Sequence, residues 1–593
     1  MKKLLAVALL AGSLAEATAA TAAPANPFGH ACSPQNGVIF CPTADDAQRV
    51  PSFDGVPLDV DVTLPVTGDG PFPTIVMLHG YGGEKQAFES ATPEGSGGTT
   101  YHYNNNHYAK QGYAVINYSA RGFGRSCGKP DSRTAPACDR GWIHLADQRY
   151  EARDTQHLLG RLVDQGLVAP NRIGVTGISY GGIQSQTLAR LRDRVRLRNG
   201  SFVPWRSPGG RPLKIAAAWS RWGASDLLYS LVPNGRFLDF QGPRRNQSLT
   251  PAGVKKDSYV NGLFLLGKLA GFVAPVGVDP TADLEGWKDA LDRGEPYRAD
   301  VRAIGRQIVD FHSATSLSGV TAPLLLQSGW TDDLFPVSES LRVYSTFKNT
   351  RGAKVSLQFG DLGHARGSNK RNSDRAFNDQ GAAFFASYLK GVGKAPAHRS
   401  VTAFTQTCPK EAPAGGPFRA SSWEKLKRGV LVLAGVKSQR VTSTGGNPKT
   451  AAKFDQFAAG DACLTVKRER AAGTAVYEAR TRRGLTMLGL PTVRATVRTT
   501  GRNGQLVGRL WDVFGTRQRL ISRGVYRLAD NQKGKVVFQL SGNGYRIAKG
   551  HTVKLELLGR DPGFLRPSNG SFSVRVSKLV AEVPVRDRRP RGS

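Results

Sequence analysis

The stretch from Asn171 to Ile183, Asn-Arg-Ile-Gly-Val-Thr-Gly-Ile-Ser-Tyr-Gly-Gly-Ile, constrains this chain more than any other. Ile173, Gly174, Val175 and Thr176 form a short β-prone run, Gly177-Ile178-Ser179-Tyr180-Gly181 has the spacing G-x-S-x-G, and Gln184 to Arg194 has a helical composition. A strand that turns sharply into a helix crowds the two elements together, so the positions beside the serine must be small. Gly177, Gly181 and Gly182 fill those positions. A chain with 69 glycines in 593 residues can produce such a pentapeptide by chance, but chance does not set it between a β run and a helical segment. Ser179 is therefore the candidate nucleophile.

A chain this long exceeds one hydrophobic core and predicts roughly two to four domains. Lys2 and Lys3 precede an apolar run, Leu4 to Leu14, and small residues continue through Ala23. This is a secretory signal-peptide pattern, with cleavage expected at or just beyond Ala17-Thr18-Ala19. The run is too short to span a bilayer, so the expectation is a secreted, soluble protein without a membrane anchor. In an oxidising compartment an even cysteine count favours pairing. The six cysteines fall into near neighbours, Cys32 with Cys41, Cys127 with Cys138 and Cys408 with Cys463, with buried free thiols as the competing reading. There is no C-x-x-C of the zinc-site kind.

Lys and Arg number 81 against 46 Asp and Glu, a net charge of +35. Such a surface can associate with anionic cell-surface polymers. The excess is dispersed arginine without a recognisable nucleic-acid module, so no nucleic-acid partner is expected and a solubilising surface is the simpler reading.

From Pro24 to about Gly70 the chain reads as an opening β-meander, in which Leu58 to Leu64 alternates as a half-buried strand does. The β run Pro73 to Leu78 ends in His79-Gly80-Tyr81-Gly82-Gly83, which resembles the loop where α/β-hydrolases place an oxyanion donor. A strand over Tyr113 to Tyr118, a helix over Asp147 to Val163, and a strand over Lys214 to Trp219 predict a mostly parallel, doubly wound sheet. His102 and His107 could suggest a metal, but their spacing fits no common site. From Ala224 to about Ser316 the pattern turns helical and irregular, with aromatic clusters, as expected of a cap inserted over the serine.

Two strand exits follow. The run Pro323 to Ser328 leads into Gly329-Trp330-Thr331-Asp332-Asp333, and Lys354 to Phe359 leads into Gly360-Asp361-Leu362-Gly363-His364. An acid and then a histidine on such loops complete the chain order Ser, Asp, His. Asp332 fits the turn better than Asp333, and His364 is the only histidine that both follows it and sits on a strand exit. A serine hydroxyl is a weak nucleophile, so it needs a base within hydrogen-bond reach, and the base needs a partner that fixes its tautomer. Ser179, His364 and Asp332 supply these roles, and the backbone N–H of Tyr180 with a donor from Tyr81 or its neighbours would meet the oxyanion. This chemistry requires no metal and no organic cofactor.

Together, Tyr81 in its loop, Gly-Ile-Ser-Tyr-Gly-Gly, Gly-Trp-Thr-Asp, Gly-His and a β-rich tail resemble the CocE/NonD family. That family includes cocaine-esterase-like hydrolases and Xaa-Pro dipeptidyl-peptidases. The resemblance implies an α/β-hydrolase with an inserted helical cap, followed by a C-terminal β-sandwich of the jelly-roll type. Its expected boundaries are a signal peptide at 1–23, hydrolase segments at 24–223 and 317–395, a cap at 224–316 and the sandwich at 396–593. It also implies a tyrosine hydroxyl in the oxyanion hole, here that of Tyr81. The expected activity is cleavage of an ester or of an amide or peptide bond through an acyl-enzyme, with an esterase or acylase without peptidase activity as one alternative. A noncatalytic binder of anionic polymer is the other. An exopeptidase must also neutralise a substrate ammonium, for which Glu84, Glu89, Asp226 and Asp239 are available.

Overall fold

A computed structural model describes residues 26–241, 252–455, 457 and 460–587. The expected signal peptide and residues 242–251 of the expected cap lie outside the described residues. The first sheet contains β1 (Ser33–Gln35), β2 (Val38–Cys41), β3 (Val60–Leu64), β4 (Phe72–Leu78), β5 (Ala114–Tyr118) and β6 (Val168–Ile178). It continues with β7 (Ile215–Arg221), β8 (Leu324–Gly329), β9 (Val355–Gly360), β10 (Val401–Thr405) and β11 (Gly415–Ala420). Its spatial order is β1-β2-β3-β5-β4-β6-β7-β8-β9-β10-β11. All pairings from β5 to β10 are parallel, and the opening strands and β11 add antiparallel edges.

The parallel strands are buried on both faces, which is why they read as apolar runs rather than as clean alternation. β4 shows the two-faced packing. Ile75 and Met77 meet Tyr108 of α1 (Asn105–Lys110) and Phe384 and Phe385 of α9 (Arg371–Phe385). Val76 and Leu78 join the opposite core with Leu158 of α2 (Glu151–Asp164), Leu188 of α3 (Tyr180–Leu191) and Leu341 of α8 (Ser338–Phe347). Between β7 and β8 the chain leaves the sheet to form α4 (Leu227–Leu231), α5 (Asp257–Ala270), α6 (Leu284–Asp292) and α7 (Ala299–His312).

The remaining chain forms a seven-stranded sheet around the long strand Phe572–Val585 and a five-stranded sheet that includes β12 (Gln505–Phe514) and β13 (Arg517–Arg527). Val493, Leu506, Leu510, Leu555 and Val574 share one core between these antiparallel sheets, a β-sandwich arrangement. The boundary expected at residue 395 needs correction. β10 extends the parallel register of β9, and β11 then pairs with β10, so the first sheet runs on to Ala420. The turn-forming residues near Pro396 mark a crossover within that sheet. The three near-neighbour cysteine pairs all form disulfides.

Candidate active site

Ser179 stands between β6 and α3 with φ 58° and ψ −111°, the strained turn expected of a nucleophile elbow. The close packing that requires glycine is explicit at Gly181, where a Cβ would lie 2.0 Å from the Leu78 carbonyl oxygen. The Ser179 N–H donates to the Arg221 carbonyl at 2.9 Å, which ties the elbow to β7. α3 begins at Tyr180, whose N–H therefore has no acceptor within the helix.

His364 and Asp332 come to this serine from two neighbouring strand exits. His364 Nδ1–H donates to Asp332 Oδ2 at 2.7 Å, leaving Nε2 to accept from Ser179 Oγ at 2.7 Å. Asp332 is fully buried, and its Oδ1 accepts from the N–H groups of Leu334 and Phe335, each at 2.9 Å. The glycine before the histidine is also forced, since a Cβ on Gly363 would stand 2.5 Å from Asp332 Oδ2. The edges of Phe335 and Trp222 flank the imidazole at ring distances of 5.1 and 6.4 Å.

The second acid of the pair does different work. Asp333 Oδ2 accepts from Arg366 Nη1 at 3.0 Å and from Arg523 Nε and Nη2 at 3.0 and 2.7 Å. Burial alone would raise this carboxyl, but the two guanidinium groups hold it down at about 2. Lys256 Nζ, just before α5, donates to the carbonyls of Asp333 and Leu334 at 2.6 and 2.8 Å. The loop that carries Asp332 is thus fastened to the histidine loop, to the start of α5 and to β13.

The loop after β4 lies against Ser179, for a Cβ on Gly80 would be 3.8 Å from Ser179 Cβ. His79 shapes that loop. Burial lowers its pKa to about 4, and the neutral ring donates from Nδ1 to the Gly80 carbonyl at 2.7 Å while Nε2 accepts from the Ala120 N–H at 2.9 Å. Tyr81 packs edge-on against Tyr180 and Phe123, and its hydroxyl reaches Gly267 of α5. Tyr81 and Ser179 line one cavity. Behind them the Tyr180 hydroxyl donates to Glu151 Oε1 at 2.8 Å, and Glu151 also accepts from the N–H groups of His144 and Asp147. Burial raises the Glu151 carboxyl to about 8.

None of the four carboxylates considered for an ammonium lines this cavity. Glu84 pairs with Lys129 at 2.8 Å, and Asp226 caps α4 by accepting from the Tyr229 N–H at 3.0 Å. Asp239 accepts from Trp423 Nε1 at 2.7 Å, and Glu89 is pushed up to about 9 by burial and by Asp61 beside it. The rings of His102 and His107 stack on each other at 4.5 Å. Among the described residues, no group of three or more His, Cys, Asp or Glu is placed to hold a metal ion.

Sequence reasoning missed Glu151, Trp222, Lys256, Phe335, Arg366 and Arg523. Phe335 and Arg366 lie within three residues of Asp332 and His364 and could have been flagged by proximity. Arg523 is 190 residues from Asp333 and had no local signal among so many basic residues.

An open α/β sheet with a helical insertion, a nucleophile elbow and an acid and a histidine on successive strand exits defines the α/β-hydrolase class. Residues 54–195 match the family model of the X-Pro dipeptidyl-peptidases, the S15 family. A CocE/NonD family hydrolase from Staphylococcus aureus is similar over 92% of this chain and 93% of its own, with 14% identity and a TM-score of 0.58. An α-amino acid ester hydrolase is similar over 97% and 100% of the two chains, with 15% identity and a TM-score of 0.56. An aminopeptidase from a marine sediment archaeon, Thaumarchaeota archaeon, is similar over 94% and 98%, with 14% identity and a TM-score of 0.56. No curated protein sequence matches this one. The resemblance to CocE/NonD hydrolases is borne out, and the S15 match over residues 54–195 agrees with it.

Proposed function

We propose that this protein is an exported serine hydrolase that cleaves a carboxylic ester or an amide bond through an acyl-enzyme, in the manner of cocaine-esterase-like hydrolases and Xaa-Pro dipeptidyl-peptidases. The observation that carries the reading is the unbroken hydrogen-bond path from Asp332 through His364 to Ser179 on the wall of a cavity. Ser179 Oγ attacks the substrate carbonyl carbon as its proton passes to His364 Nε2. The carbonyl electron pair moves onto oxygen, where the Tyr180 N–H and a donor of the Tyr81 loop meet it. Collapse expels the alcohol or amine, which takes the proton from His364. Water then repeats the sequence on the acyl-enzyme and releases the acid. Asp332 orients the imidazole and stabilises its charged form.

Export is supported by three disulfides, and among the described residues no helix is long and apolar enough to cross a membrane. The test is hydrolysis of a short-chain nitrophenyl ester beside an Xaa-Pro anilide, each with Ser179→Ala as control. Turnover should fall by roughly 10⁴-fold or more in the variant, and a fluorophosphonate should label the wild type at Ser179. Unchanged turnover in Ser179→Ala would refute the nucleophile assignment. The net charge of +35 favours a second, separable property, association with anionic cell-surface polymers, which Ser179→Ala should retain.

A further inference from the structure

The cavity beside Ser179 is about 110 Å³ in volume, and the helices between β7 and β8 wall one side of it with Leu227 of α4, Leu263 and Phe264 of α5, Leu284 and Trp287 of α6 and Ile308 of α7. Lys288 is the one charged side chain on its wall among the described residues, and its amine is held by Asp292 one turn on at 2.5 Å. Glu151 stands behind Tyr180 with its oxygens taken by the Tyr180 hydroxyl and two backbone N–H groups. A substrate ammonium entering here would find no carboxylate among the described residues of the wall to pair with, which disfavours its burial. An apolar chain would meet mostly aliphatic and aromatic side chains along the walls. Apolar cavities of about 150 Å³ take up the six carbons of benzene, so by proportion this one has room for about four carbons, the tail of a six-carbon acyl group whose carbonyl and α carbons lie at Ser179.

We infer that this cavity is an acyl site for a neutral, apolar acyl group on the order of six carbons, and that it selects against acyl groups carrying a free α-ammonium. The inference rests on the serine-hydrolase reading and narrows it towards esters and amides of medium-chain acids. Each methylene that enters the cavity should raise kcat/KM about fourfold, which corresponds to about 0.8 kcal/mol.

The test uses the whole protein with nitrophenyl acetate, butanoate, hexanoate, octanoate and 2-aminohexanoate. From acetate to hexanoate kcat/KM should climb by roughly 10²-fold and then level off, and the 2-amino ester should be at least about tenfold poorer than hexanoate. Leu263 is only half-buried on α5, so Leu263→Trp can fill the cavity and should lower the hexanoate-to-acetate ratio about tenfold. Leu263→Ala enlarges the cavity and should move the optimum to octanoate. Fluorophosphonate labelling of Ser179 in each variant verifies that the site is intact. Labelling with a flat chain-length profile, or a preference for the 2-amino ester, would overturn the acyl site alone. Absence of labelling in the wild type would overturn the hydrolase reading and the acyl site with it.

Discussion

Arg523 holds the loop of the candidate acid Asp332 from outside the hydrolase sheet, so replacing it with methionine should impair both stability and turnover. Its fully buried guanidinium makes two bonds to Asp333 Oδ2, at 3.0 and 2.7 Å, and stacks over Phe564 at 3.7 Å. Breaking a buried ion pair on one side typically costs about 3 to 5 kcal/mol, because the partner stays buried. Arg366 remains on Asp333 at 3.0 Å, which keeps the expectation near the lower end, about 3 kcal/mol. The catalytic effect follows from position. Asp333 adjoins Asp332, and Arg366 is two residues past His364, so loosening this knot shifts the acid against the imidazole. A displacement of about 1 Å can cost about 10²-fold in rate. The assay is kcat and KM on the best ester beside thermal unfolding, for Arg523→Met and Arg523→Lys. We expect kcat to fall by roughly 10- to 100-fold with KM little changed, an earlier unfolding transition, and partial recovery in Arg523→Lys, whose ammonium can replace only one of the two bonds. Unfolding and kcat that both match the wild type in Arg523→Met would refute the reasoning. The same carboxyl sets an acid limit. Its folded pKa of about 2 lies below the ordinary value of 3.8, so its contribution is present above about pH 4 and is lost as the pH falls towards 2. Asp333→Asn should remove that part of the acid sensitivity.

Three further outcomes are expected. If the Tyr81 hydroxyl donates to the oxyanion, Tyr81→Phe lowers kcat by roughly 10²-fold with KM nearly unchanged, and an unaltered kcat assigns the task to a backbone N–H of the loop. Glu151 has a folded pKa raised to about 8 by burial, against 4.5 normally, so it binds more protons folded than unfolded; stability should decline as the pH rises from about 5 to 8, and Glu151→Gln should flatten that slope in thermal unfolding at pH 5 to 9. The disulfide between Cys408 and Cys463 closes a separation of 55 residues, so removing both cysteines should cost about 4 kcal/mol, read as a lower denaturant midpoint, while gentle ester turnover at low temperature persists.

Much of this molecule is legible in one dimension because its strongest signals are local. Backbone crowding at the elbow permits only small residues around Ser179, and the contact of Gly181 with the Leu78 carbonyl is the cause of that pattern. The buried parallel strands leave apolar runs, and their exits leave Gly-x-x-Asp and Gly-His, so the three catalytic candidates could be placed in order before any contact was known. The order of cysteines along the chain likewise matched the three disulfides, two of which join cysteines only 9 and 11 residues apart, the kind of pair that meets most readily.

What the sequence determined by itself was therefore the hydrolase sheet, the elbow and the candidate residues on its strand exits. Tertiary structure decided everything that depends on elements far apart in the chain. It separated Asp332, which faces His364, from Asp333, which faces Arg366 and Arg523, although both sit on the same turn. It carried the first sheet past residue 395 to Ala420, because an exposed-looking turn can still lead into another paired strand. It also turned Glu84, Glu89, Asp226 and Asp239 away from the cavity and walled that cavity with cap side chains. A side chain's type and spacing record what its own segment needs, whereas the direction it faces and the partner it meets are set by how distant segments pack.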